Sequence, residues 1–273
     1  MSKELIKITV VGAAGRMGRM IVQQIANDPQ TCLAGAIEAA ESENVGRDAG
    51  EVAGIEALGV PITAEIEPAV EKAGAMIDFS APNCTLPNAR AAVAANCGVV
   101  IGTTGFSETD REALGSLPQH NGRIVLAPNM SVGVNILFGL CAKLGSALAQ
   151  DYDMEVVEMH HNQKKDAPSG TARKIAEILA ENAGLRYDAD VRHGRQGMTG
   201  ARPRGEIGMH AMRGGDVVGD HTVVFAGEGE RIELTHKAGS RSTFAKGAVR
   251  AAKFVAEAPP GMFDMLDVLG IRE

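Results

Sequence analysis

Along its first 130 positions the chain alternates between short β-branched runs and stretches with apolar residues at helical spacing. Ile6, Ile8, Val10 and Val11 form a run ending at Gly12, short enough for a central strand buried on both faces. Met17, Met20, Ile21 and Ile25 then recur at helical spacing until Asn27-Asp28-Pro29 stops them. Residues 33–37 predict a second strand that ends at Glu38, and 76–79, 99–101 and 124–126 predict further strands. Leu86, Ala89 and Val93 suit a helix between two of these. Strand, helix, strand at crossover intervals predicts an α/β domain with a parallel, doubly wound sheet.

After Pro128 the pattern changes, and a domain boundary is expected near position 130. Residues 132–149 form a long helical stretch and 154–159 read as a strand, while Ala172, Ile175, Ala176, Ile178 and Leu179 give one apolar helix face. Residues 206–213, 216–226 and 230–237 predict three strands. Gly214-Gly215 and Gly227-Glu228-Gly229 join them as connections of the hairpin kind, which predicts an α+β domain with an antiparallel sheet. Residues 244–256 are helical again and are expected to return to the first domain. The expected organisation is therefore 1–130 for dinucleotide binding, 131–240 for substrate binding and oligomerisation, and 241–273 for the returning helix.

With 45% hydrophobic and 22% charged residues among 273, and with its glycines and prolines dispersed, the chain has globular composition, which excludes disordered, collagenous and low-complexity readings. A formal charge of −7 repels phosphate polymers and anionic lipid surfaces, so neither nucleic acid nor a membrane is an expected partner. The start leads into a strand pattern and no apolar run reaches membrane-spanning length, so a cytoplasmic, untargeted protein is expected. Cys32, Cys84, Cys97 and Cys141 form no C-x-x-C pair and are read as structural thiols. Aromatics at 3%, without Trp, leave little for stacking onto bases or sugars.

The first chemical signal is Gly12-Ala13-Ala14-Gly15-Arg16-Met17-Gly18, between a predicted strand and a predicted helix. Backbone N–H groups and the helix dipole there can hold a pyrophosphate, although Ala14 takes the usual middle glycine position. Glu38 lies 20 residues beyond Gly18, at the next strand end, where a carboxylate accepts hydrogen bonds from ribose hydroxyls. Ala39, Ala40 and Glu41 come next, and none can neutralise a ribose 2′-phosphate, so NADH is predicted to be favoured over NADPH. Gly102-Thr103-Thr104-Gly105 and Ala127-Pro128-Asn129-Met130 stand at the carboxyl ends of further strands, where the nicotinamide half would lie.

The second signal is the segment 158–172, EMHHNQKKDAPSGTA, which packs two histidines, two lysines and a strand-to-helix junction into 15 residues. A metal reading fails because neither H-E-x-x-H spacing nor nearby cysteines are present. The run 166–171 presents a cap and free N–H groups at a helix start, a ready carboxylate site. Histidine titrates near neutrality and lysine carries an ammonium, so one loop can offer a proton donor and a charge for an anionic substrate.

These motifs resemble the dihydrodipicolinate reductase family of bacterial lysine and diaminopimelate biosynthesis. VGAAGRMG, IDFSAP, GTTGF, APNMSVGVN, EMHHNQKKDAPSGTA, RGGDVVGDHTVVF and ERIELTHKAGSR occur in that family's order and spacing. The resemblance implies a Rossmann-type domain closed by the C-terminal helix, a substrate domain with a mixed, largely antiparallel sheet, and a homotetramer. It implies NAD(P)H-dependent reduction, with loss of water, of a cyclic imine carrying two carboxylates. His160 would be the acid/base residue and Lys164 the proton donor, with His161, Gly170 and Thr171 holding the substrate. Gly12, Ala13, Ala14, Gly15, Arg16, Met17, Glu38, Gly102, Thr103, Thr104 and Ala127 to Met130 would surround the cofactor. The chain departs from some members at Ala39, where they carry a basic residue, and at Ala81, where they carry Arg. The arginines of 188–204 leave two readings open, a mobile anion-sensing loop and an ordinary solvated one. Two other functions remain open from sequence: another two-domain Rossmann dehydrogenase, and a catalytically silent NAD(H) sensor.

Overall fold

The β-branched runs become strands because both of their faces find apolar cover. A computed structural model describes residues 4–271; positions 1–3 and 272–273, which the expected domain organisation included, lie outside the described residues. The elements run β1 (Ile6–Val11), α1 (Arg16–Asn27), β2 (Thr31–Ile37), α2 (Ala49–Ala53), β3 (Ile62–Thr63), α3 (Glu67–Val70), β4 (Ala75–Asp78), α4 (Pro82–Ala94), β5 (Gly98–Ile101), α5 (Glu108–Ser116) and β6 (Arg123–Leu126). They continue through α6 (Val132–Leu148), β7 (Asp153–His160), α7 (Gly170–Ala183), α8 (Tyr187–Asp190), β8 (Val191–His193), β9 (Ile207–Arg213), β10 (Asp220–Ala226), β11 (Arg231–Lys237), α9 (Ser242–Glu257), β12 (Gly261–Phe263) and α10 (Met265–Leu269). Contacts divide the chain into two units: the described parts of Met1–Val132 and Ser242–Glu273 make one, and Gly133–Arg241 makes the other.

In the first unit all strands run parallel in the order β12-β6-β5-β4-β1-β2-β3. Ile8, Val10, Ile77 and Val100 pack with Ile21 and Ile25 of α1 and Val249, Ala252 and Val255 of α9. Val11, Met76, Val99 and Ile101 pack on the opposite face with Ala89 and Ala92 of α4 and Leu114 of α5. Chain order reverses between β1 and β4, which is where doubly wound sheets bind ligands outside the carboxyl ends of their strands. Because every strand is parallel, the loops after β1, β4, β5 and β6 all emerge at that one edge.

The second unit holds a mixed sheet ordered β11-β10-β7-β9-β8. β10 pairs antiparallel with both β7 and β11, whereas β7–β9 and β8–β9 are parallel. The hairpin expected at Gly214-Gly215 is therefore corrected: β9 and β10 are not neighbours, because β7 lies between them. Residues 214–219 instead cross the end of β7, where Gly214 N donates to the His160 carbonyl (2.9 Å) and His161 N to the Val217 carbonyl (2.8 Å). The hairpin at Gly227 forms as expected, with Gly227 N donating to Glu230 O at 2.9 Å. Met154, Val156, Glu158 and His160 occupy the buried face of β7, under α6 and α7. Glu158 and His160 are thus polar positions on an otherwise apolar face, and buried polar groups must find hydrogen-bond partners.

Candidate active site

The glycine loop is built for close backbone approach. Gly12 has φ +76°, and a Cβ there would stand 2.8 Å from the Phe79 carbonyl oxygen. Gly18, in the first turn of α1, would carry its Cβ only 2.0 Å from the Gly12 carbonyl oxygen. Helix and loop therefore close to a distance that no other residue permits. Gly15 is the N-cap of α1 and brings no capping side chain, so its turn leaves backbone donors for a ligand. Gly12 N and Ala13 N both donate to the Ile37 carbonyl, tying the loop to the end of β2. Glu38, one residue further, accepts a hydrogen bond from Ala14 N at 2.7 Å. Arg16 is exposed at the start of α1, Met17 is half-buried, and Ala39 and Ala40 are exposed.

Thr103, among the other cofactor candidates, meets a buried carboxylate to which the sequence assigned no role. Asp78, at the end of β4, is fully buried. It accepts hydrogen bonds from Ser80 Oγ (2.6 Å), Asn88 Nδ2 (3.0 Å) and Thr103 Oγ1 (3.2 Å), and so joins the IDFSAP and GTTGF loops. Gly102 closes on the Phe79 ring, 2.1 Å from where its Cβ would stand, and Thr104 is exposed beside it. In the loop after β6, Ala127 and Met130 are buried in the core, while Pro128 is exposed. Asn129 Oδ1 accepts from Ser131 N at 2.9 Å, which turns the chain there.

In the second unit the histidines and lysines gather at one strand-to-helix junction. His160 is the last residue of β7 and His161 the next, its N–H held by Val217. Lys164 Nζ lies 2.9 Å from Asp166 Oδ1. Ser169 caps α7 by accepting from Ala172 N (3.1 Å), and Gly170 and Thr171 form the first helical positions. A Cβ on Gly170 would meet nothing within 4 Å, so the helix start is open there.

Beneath this junction lies a polar layer. Glu158 has no exposed surface, and its carboxylate takes Arg213 across both oxygens (2.8 and 2.9 Å), His160 Nδ1 (2.6 Å) and Ser169 N (3.0 Å). Burial pushes the Glu158 carboxyl up, but the Arg213 guanidinium, His160 and the Ser169 N–H outweigh it and hold the group below its usual range. Glu158 is therefore ionised and can only accept, so His160 Nδ1 carries the proton. Burial lowers the affinity of His160 for a second proton; Glu158 opposes this, and Lys164 and Arg213 reinforce it. His221 stacks edge-on to His160 with ring centres 5.2 Å apart and meets Ser169 Oγ at 3.2 Å. Alternation at 154–160 was the signal that could have placed Glu158 beside His160; Arg213 and His221 stand in the motif RGGDVVGDHTVVF, but they arrive from other strands and nothing local pairs them with the junction.

Two of the arginines of the 188–204 loop, Arg195 and Arg202, are held in ion pairs. Arg195 and Arg202 both bind Glu155, Arg195 also binds Glu206, and Arg202 binds Asp153. Burial raises the Glu155 carboxyl, but its bonds from Arg195, His210 and Arg202 bring it down to about 2. These cations hold the loop to the sheet. Cys97 and Cys141 are buried thiols, pushed up to about 12, which makes them inert.

Comparison with known proteins decides the family. Residues 6–130 match the family model described as dihydrodipicolinate reductase, N-terminus, and residues 133–269 match its C-terminus. The chain belongs to the dihydrodipicolinate reductase family. Among curated relatives, the 4-hydroxy-tetrahydrodipicolinate reductase of Pelobacter propionicus is 46% identical over 98% of this chain and 100% of that one. The enzyme of the same name from Syntrophotalea carbinolica is 47% identical over 98% and 100%. Among solved structures, a dipicolinate-bound dihydrodipicolinate reductase from Paenisporosarcina sp. TG-14 superposes with a TM-score of 0.79 at 24% identity, over 96% of this chain and 98% of that one. That superposition shows a shared fold. The family uses NAD(P)H, and among the described residues no helix is long and apolar enough to cross a membrane.

Proposed function

We propose that this chain is a 4-hydroxy-tetrahydrodipicolinate reductase in which the first unit holds NAD(P)H and the second binds the cyclic dicarboxylate and supplies the proton. The observation that carries this reading is the junction 158–171, where His160, Lys164 and the open start of α7 stand on one rigid strand-to-helix turn. The glycine cradle fits a dinucleotide, because Gly12 and Gly18 occupy positions a Cβ would fill and Glu38 stands at the loop's edge. Gly12 to Met17, Glu38, Gly102 to Thr104 and Ala127 to Met130 would hold it. When bound, the nicotinamide supplies a hydride to the carbon conjugated to the substrate imine.

The residues of the second unit meet the demands of that addition. Electron density moves through the ring towards nitrogen, and a proton must arrive as charge develops there. The Lys164 ammonium stabilises that charge and supplies the proton, and His160 serves as the acid/base residue. The N–H groups of Gly170 and Thr171, at a helix start, hold one carboxylate, with His161 as a further contact. NADH is favoured over NADPH, since Ala39 and Ala40 offer no cation to a ribose 2′-phosphate. The enzyme works in the cytoplasm, where its cofactor is produced, as a homotetramer assembled through the mixed sheet, whose outermost strand β11 is largely exposed.

The test is the loss of NADH absorbance with substrate generated in situ from pyruvate and aspartate semialdehyde by the preceding synthase. Turnover that needs the synthase, with kcat/KM higher for NADH than for NADPH, is expected. NADH binding without turnover would contradict the function, and faster turnover with NADPH would contradict the cofactor preference alone.

A further inference from the structure

A carboxylate with no exposed surface must be paired and hydrogen-bonded throughout, or its burial costs several kcal/mol. Glu158 meets that requirement with partners that belong to two different tasks. Its Oε2 takes the His160 Nδ1–H and its Oε1 takes the Ser169 N–H, while Arg213 spans both. Arg213 also donates to the Asp166 carbonyl at 2.7 Å, which anchors the loop carrying Lys164. A pair of this kind adds little stability compared with apolar residues of the same shape. What it fixes is geometry. The other ring nitrogen, His160 Nε2, faces Gly219, where a Cβ would approach to 2.9 Å.

We propose that Glu158, clamped by Arg213, is the positioning residue of this site, one oxygen holding His160 as the Nδ1–H tautomer with Nε2 free to exchange protons and the other setting the start of α7 that receives a substrate carboxylate. The proposal rests on the roles proposed for His160, Gly170 and Thr171. It makes Glu158 act on kcat through His160 and on KM through Ser169, a division that a purely structural carboxylate would not produce. The charged and titratable groups around His160 are Glu158 on its own strand, Arg213 from β9, His221 from β10 and Lys164 from the adjoining loop. Of these, Glu158 favours the imidazolium, while Lys164 and Arg213 oppose it.

The experiment compares Glu158→Gln, His160→Gln and the double variant in the synthase-coupled assay, with NADH binding measured by fluorescence. Glu158→Gln should lower kcat by about 10²-fold through misplacement, raise KM for the dicarboxylate, leave NADH affinity unchanged and move the acidic limb of the pH profile to lower pH. His160→Gln should lower kcat with little change in KM. The double variant should be no slower than His160→Gln while keeping the raised KM. Wild-type kcat in Glu158→Gln, or losses in kcat that multiply in the double variant, would overturn the proposal while leaving His160 in its role. Wild-type turnover by His160→Gln would remove that role and the proposal with it. Should Glu158→Gln not fold, ¹⁵N NMR of the wild-type protein decides: His160 protonated on Nδ1 is expected, and an Nε2–H tautomer would overturn it.

Discussion

His221 shows what the polar layer costs at the scale of one residue. It is 3% exposed, its Nδ1 has no hydrogen-bond partner among the described residues, and its Nε2 is engaged by Ser169. Burial, helped by the charge of a protonated His160, lowers its pKa from 6.5 to about 4. The unfolded chain therefore takes up a proton at this residue before the folded chain does. Stability that is complete above pH 6.5 is lost as pH falls towards 4. Between pH 7.5 and pH 5 the unfolding free energy should drop by about 2 kcal/mol from this residue, and urea unfolding of wild type and His221→Gln at the two values checks it. Equal pH dependence in both proteins would contradict the assignment. The acid/base candidates themselves were legible, because His160, Lys164, Gly170 and Thr171 crowd into a short stretch. Their supports were not, since Arg213 lies 55 positions from Glu158 and His221 lies 52 from Ser169.

At the scale of elements, two helical glycines separate intrinsic propensity from fit. Gly→Ala in a helix interior ordinarily gains about 0.5–1 kcal/mol. Gly115, in α5, would place its Cβ in open space, so Gly115→Ala should raise the unfolding free energy by about that amount. Gly18→Ala should do the opposite, since its Cβ would lie 2.0 Å from the Gly12 carbonyl oxygen, and the forced shift costs about 1–3 kcal/mol and weakens NADH binding. Calorimetry and a fluorescence titration measure both. Elements with a sustained period, such as β1, α1, β7, α7 and α9, could be read directly from the sequence. The two-residue β3 and three-residue β12 are too short to show one. Gly214-Gly215 misled because a glycine pair between apolar runs is a local signature, whereas the insertion of β7 between those runs is a long-range event.

At the scale of the whole molecule, the chain leaves the first unit after Val132 and returns to it at Ser242. α9 supplies Val249, Ala252 and Val255 to the core beneath β1 and β4, so the last segment is part of the first unit in packing although it follows the second in sequence order. Hydrogen exchange should reflect this division. Saturating NADH at about 100 times Kd stabilises what binds it by about 2.7 kcal/mol, so amides of 8–25, 75–79 and 245–255 should slow. Amides in the core of β7 and α7 should change less, and uniform slowing across both units would contradict separate cofactor and substrate units. The most direct measurement of all is turnover and NADH affinity in Lys164→Ala. A fall in kcat of about 10² to 10⁴ with NADH affinity unchanged would locate proton delivery at the junction of β7 and α7. Turnover near that of the wild type would contradict it.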